Sequence, residues 1–317
     1  MRSMYNLRKM IIIMGVSLLL VGCNKSNNDV ALNETSNKMN DVNDSDILFE
    51  NNDGDKNEVN ESVKKENLIE PSGTTLETRI KVPSGYVRTA SEEGSFAHFV
   101  RNYPMKEDGS KVLLYNGNEK GNQGAHVAVF NLPIENYDLQ QCADSIMRMY
   151  AEYYYNMKQY DKISFHFVSG FEAKFSKWRQ GYNIAVSGNN VSWRSDSSCN
   201  DSYESFKKYM RMVFNYASTL SMEKESTMIN EADIQIGDVF LKGGSPGHVV
   251  MVVDVCVNSE GKKAFLLAQG FMPAQEFHVL KNEASEDGVW YYAEDISYPF
   301  STPEYTFDEG SLRRLDY

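Results

Sequence analysis

The chain has 317 residues, 41% hydrophobic and 12% aromatic, which supports a folded core of ordinary size. A mean hydropathy of -0.49 excludes a polytopic membrane protein. A formal net charge of -12, a pI near 5.0 and the lack of any local basic patch exclude nucleic acid as a partner, because its phosphates would be repelled.

In chain order, the first element is a targeting segment. Arg2, Arg8 and Lys9 form a positive start, and the apolar run over residues 10–21 is too short to span a bilayer as a mature helix. It ends in Leu20-Val21-Gly22-Cys23. This ending resembles the bacterial lipobox, in which diacylglycerol is attached to the cysteine thiol and cleavage leaves that cysteine as the mature N-terminus. Residues 1–23 are therefore expected to be a lipoprotein signal peptide, with Cys23 as the lipidation site. The expected location is extracytoplasmic, with the N-terminal lipid as anchor to a bacterial membrane, since several acyl chains hold a protein where one does not. Residues 24–73 are crowded with Asn, Asp, Glu, Ser and Lys, have almost no aromatics beyond Phe49 and show no sustained period. They read as a disordered tether with a reach on the order of 40 Å.

Residues 74–317 read as a single globular α+β domain without internal repeats. Residues 78–82 and 126–132 predict strands, and 163–167 alternates as a third. Asp138, with Gln141 three residues later, predicts a helix start, and Leu139, Ala143, Ile146, Tyr150, Tyr153 and Met157 form its apolar stripe. A second helix is expected from Asp201, with Glu204 at its third position and Phe206, Met210, Val213, Ala217 and Leu220 buried. The last third is β-rich: strands at 238–241, 249–257 and 264–269, a glycine-rich turn at 243–247 and a hairpin turn at 258–262. The expected class is helices packed on an antiparallel β-meander, open to a papain-like arrangement.

The sharpest local pattern is Gly237-Asp238-Val239-Phe240 followed by Gly243-Gly244-Ser245-Pro246-Gly247-His248-Val249-Val250. It delivers a histidine to the first position of a buried strand, at the rim of a sheet. It resembles the histidine segment of papain-like cysteine peptidases and amidases of the NlpC/P60 and CHAP kind, and that resemblance implies a general base at His248. Cys142, early in the helix capped by Asp138, is the candidate nucleophile, because unpaired N–H groups and the macrodipole favour a thiolate there. Positions 139, 142, 143 and 146 share one helix face, so Cys142 reads equally as a small buried hydrophobe. Cys199, in a polar loop, is the alternative nucleophile, and Cys256 reads as core. The NlpC/P60 nucleophile motif Asp-Cys-Ser-Gly-Phe is absent; its nearest echo, residues 202–206, has Tyr203 in place of the thiol.

Gln269, at the end of the strand after the histidine, is the candidate orienting group, with Asp254 as a second polar residue inside the apolar run. Whether Gln269 and His248 share a face depends on hairpin register, since a shift of one residue reverses the answer. His98, His126, His166, His248 and His278 are dispersed without metal-ligand spacing, and no phosphate or dinucleotide fingerprint exists, so neither metal nor cofactor is expected. Three cysteines beyond Cys23 allow at most one disulfide.

The same residues, with Asp138-Leu139-Gln140-Gln141-Cys142-Ala143-Asp144, Phe165-His166-Phe167, Gly170-Phe171, Lys177-Trp178, Gly181-Tyr182 and Ala268-Gln269 with Met272-Pro273-Ala274-Gln275, resemble a bacterial family known as domain of unknown function 4846. The resemblance spans roughly residues 79–317 and implies an exported, often lipid-anchored protein of unassigned biochemistry. Three readings stand at this point. One is a cysteine hydrolase or amidase using Cys142, His248 and Gln269 on envelope peptide or glycopeptide. Another is a non-catalytic lipoprotein that binds glycan or peptide through Trp178, Trp193, His248 and Gln269; a purely structural lipoprotein is a third.

Overall fold

The structure is a computed structural model and describes residues 67–317. The expected signal peptide, Cys23 and the tether as far as residue 66 lie outside the described residues. The helices are α1 (Leu76–Arg79), α2 (Phe96–Arg101), α3 (Cys142–Asn156), α4 (Phe175–Trp178), α5 (Tyr203–Tyr216) and α6 (Thr219–Lys224). The strands are β1 (Tyr86–Arg88), β2 (His126–Val129), β3 (Ser164–His166), β4 (Glu172–Lys174), β5 (Tyr182–Ser187), β6 (Asn190–Ser195), β7 (Ser226–Met228) and β8 (Val239–Lys242). They continue with β9 (His248–Asn258), β10 (Lys263–Gln269), β11 (His278–Leu280), β12 (Tyr291–Tyr292), β13 (Phe300–Ser301), β14 (Thr306–Phe307) and β15 (Leu312–Leu315).

The fold is α+β. A nine-stranded antiparallel sheet runs in the order β2-β11-β10-β9-β8-β15-β7, with β1 added to β9 and β12 to β10. Its centre, β8 to β10, is the expected meander, and β11 adds a further antiparallel strand to it. The near-continuous apolar run of β9 follows from burial on both faces. Val249, Met251 and Val253 face a core shared with Ile146, Met147 and Val213 of the helices. Val250 and Val252 face a second core with Phe240, Phe265, Phe300 and Phe307. The β9–β10 hairpin closes through Asn258, whose side chain accepts from the Glu260 and Lys262 N–H groups at 3.0 Å each.

Four local expectations change. Residues 78–82 do not open as a strand, because Thr75 and Thr78 cap each other reciprocally and wind Leu76–Arg79 into one helical turn. The folded chain also starts ahead of residue 74: Leu68 is buried, and the Gly73 carbonyl accepts from Arg79 Nε at 3.0 Å. Helix α3 starts at Cys142 instead of just after Asp138, because Asp138 Oδ1 is taken by the Ala274 N–H at 2.7 Å and Asp144 Oδ2 accepts from the Gln141 N–H at 3.1 Å. Helix α5 is capped by Ser202 and stops at Tyr216; Ser218 caps a new helix, which leaves Leu220 exposed.

Candidate functional site

His248 opens β9 and is paired across the ladder with Lys242, the last residue of β8. Its Nε2 lies 2.7 Å from Gln269 Oε1. A β-bulge brings the two together. From Lys263↔Val257 to Leu266↔Asp254 the hairpin register is regular, but Leu267 then pairs with Val252, leaving Val253 as the extra residue. Continuing from Ala268↔Met251, Gln269 falls opposite Val250, on the face of His248. Without the extra residue it would fall opposite Met251, and the two side chains would lie on opposite faces of the sheet. The ring of His248 packs against Phe271 at 4.7 Å and Tyr305 at 4.9 Å between centroids, and Tyr305 donates to the Pro246 carbonyl at 3.2 Å.

Cys142 reaches the same place from the helical side, as the first residue of α3. The helix end enters where β10 has stopped, and Gly270 makes room: a Cβ there would collide with Ser145 Oγ and lie 2.8 Å from the Gln141 carbonyl oxygen. The Cys142 thiol lies beside the N–H of Val249, the residue after His248. Cys142 and His248 both line a cavity of about 520 Å³, together with Asp144, Thr219, Phe271 and Tyr305. Among the described residues no hydrogen bond joins the thiol to the imidazole; Nε2 is committed to Gln269, and Nδ1 bonds no protein group.

The electrostatics of this cavity differ from the thiolate expected at a helix N-terminus. Burial, then the nearby Asp144 carboxyl, push the Cys142 thiol up to about 11, against weak help from the Ala143 and Val249 N–H groups. Burial takes His248 down to about 4, opposed by the Gln269 bond. Asp144, buried with Oδ1 unpartnered, is raised to about 8 by burial. No lysine or arginine lines the cavity, so no cationic side chain there offsets the desolvation of an anion. At neutral pH the thiol and the imidazole that line this cavity are both uncharged.

The other expected residues are elsewhere. Trp178 is buried and donates to Ser205 Oγ at 2.9 Å, and Trp193 on β6 packs on Phe171 at 5.6 Å, with Lys177 Nζ over its ring. Neither lines the cavity, which corrects their expected place beside His248. Asp254 is not an orienting group: it accepts from Arg88 Nε and Arg101 Nε, each at 2.7 Å, at the bulge. Cys199 and Cys256 are buried free thiols outside the cavity. Among the described residues no group of His, Cys, Asp and Glu has metal-binding geometry, and no helix is long and apolar enough to cross a membrane.

Sequence reasoning does not single out Asp144, Lys120 or Glu304, the last of which accepts from Gln269 Nε2 at 2.7 Å. Nothing local marks Lys120 and Glu304, because they meet the site only through the folded chain, whereas Asp144 stands two residues after Cys142 as the acid in the first turn of the same helix. His278 does carry a signal: like His248, it opens a buried strand ahead of a valine.

A family model described as "Domain of unknown function (4846)" matches residues 76–314, and the chain belongs to that family. No curated protein matches the chain. No solved structure matches it either.

Proposed function

We propose, for this member of the domain of unknown function 4846 family, a papain-like cysteine hydrolase or amidase that acts on envelope peptide or glycopeptide while anchored outside the cytoplasm through lipidated Cys23. The observation that carries this reading is the His248 Nε2–Gln269 Oε1 bond of 2.7 Å, on a cavity that the helix-terminal Cys142 also lines. A thiol at a helix start, an imidazole at a strand start and an amide on the next strand are the parts that thiol acyl transfer requires. As Cys142 Sγ attacks an amide carbonyl carbon, His248 Nδ1 takes the thiol proton and the C–S bond forms. The imidazolium gives that proton to the departing amine as the C–N bond breaks. Water then adds to the thioester with His248 accepting its proton, the C–S bond breaks, and the proton returns to sulfur.

The test is turnover of peptidoglycan-derived peptides together with mass spectrometry of the protein during turnover. Cys142→Ala and His248→Ala are expected to abolish product, and the wild type to carry an acyl adduct on Cys142. Full turnover by Cys142→Ala would overturn the reading. Cys23→Ala is expected to move the protein out of the membrane fraction, and unchanged fractionation would remove the anchor.

One observation favours a second reading, a non-catalytic binding lipoprotein: the Cys142 thiol is pushed up to about 11 and makes no bond to His248. Peptide binding that is equal in wild type and Cys142→Ala, without product from either, supports this alternative.

A further inference from the structure

Behind His248 lies a buried chain of polar groups whose donors and acceptors admit one arrangement. Glu304, in the turn between β13 and β14, is ion-paired with the buried Lys120 ammonium and accepts from Asn122 Nδ2 at 3.3 Å. A carboxylate only accepts, so the Gln269 atom 2.7 Å from Glu304 Oε2 must be the amide nitrogen. The amide oxygen then faces His248 at 2.7 Å, and because that oxygen also only accepts, His248 carries its proton on Nε2. The second amide hydrogen has His278 Nε2 at 3.4 Å. His278 Nδ1 meets the Glu276 carbonyl at 2.8 Å, so its proton is on Nδ1 and Nε2 is free to accept. Every assignment in the chain agrees with every other.

We infer that Glu304, held by Lys120, is a positioning residue for His248: it orients the Gln269 amide, which places the imidazole proton on Nε2 and leaves Nδ1 as the lone-pair nitrogen. The inference rests on the proposed function only in giving Nδ1 the role of acceptor for the Cys142 proton. Without Glu304 the amide could turn, present its nitrogen to the ring and stabilise the opposite tautomer, whose Nδ1–H cannot take a proton from the thiol. The aromatic wall works in the same sense. Tyr305, next to Glu304, packs on the His248 ring at 4.9 Å between centroids, so one turn holds both the ring and its amide partner.

The test is long-range ¹H–¹⁵N NMR of the histidine side chains at pH 7 in the full chain. The wild type is expected to show Nε2–H on His248 and Nδ1–H on His278. Glu304→Ala is expected to lose the single tautomer of His248, and Glu304→Gln, which keeps an acceptor oxygen, to restore it. A proton on Nδ1 of His248 in the wild type, or a tautomer unchanged in folded Glu304→Ala, overturns the inference. Should Glu304→Ala fail to fold, the wild-type tautomers of the two histidines still decide. In a turnover assay Glu304→Ala should lower kcat about tenfold or more with little change in KM, with recovery in Glu304→Gln. A tautomer that follows Glu304 in a protein without turnover supports the positioning role and overturns the hydrolase reading alone.

Discussion

At Cys142 two effects oppose each other. The N-terminus of α3 favours a thiolate by about 0.3–1 kcal/mol, whereas removal from water penalises it by more, and the thiol rises to about 11. Iodoacetamide should therefore label Cys142 slowly at pH 6 and progressively faster towards pH 11; rapid labelling at pH 6 would show that the helix end wins. His248 stores a different pH dependence. Its folded value, about 4, lies below the unfolded value near 6.5, so the neutral ring contributes stability that is complete above pH 6.5 and is lost as the pH falls through 4. The size is on the order of 3 kcal/mol. Burial lowers His278 to about 3, which acts in the same direction. Melting curves should show that His248→Gln loses less Tm than the wild type between pH 7 and pH 4. Parallel losses in the two proteins would count against a buried neutral His248.

Two elements must interlock at the end of the sheet: the bulged hairpin of β9 and β10, which turns Gln269 to the His248 face, and the first turn of α3, which enters over Gly270. A methyl group on residue 270 has no space between Ser145 Oγ and the Gln141 carbonyl. Gly270→Ala should cost about 1–3 kcal/mol as overpacking. It should also push the helix end outward, so that Cys142 becomes more reactive as Tm falls. An unchanged Tm and labelling rate would mean that α3 is not seated on this glycine.

For the whole molecule, one sheet serves two cores, and the chain segment just before α1 closes the edge of the first. Leu68 is 2% exposed there, and Ile69 bridges Ile80. A chain begun at residue 74 is expected to melt several degrees below one begun at residue 67, since loss of a buried leucine costs about 2–5 kcal/mol. Equal melting points would return the domain boundary to residue 74.

By itself the sequence determined the α+β class, the two amphipathic helices, the buried meander and the placement of a histidine at the start of a strand, because periodicity, turn residues and β-branched runs are local properties. Even the pair His248 and Gln269 was legible as types at strand ends. Only the tertiary structure decided that they meet, because one extra residue, Val253, reverses a face and no composition records it. It also decided that Cys142 is a half-buried thiol with a raised pKa and that Trp178 and Trp193 lie away from the cavity. Lys120 and Glu304, far from Gln269 along the chain, enter the same chain of hydrogen bonds only in the folded protein. Burial and long-range pairing are sums over neighbours that are distant in sequence, and those neighbours exist only once the chain has folded.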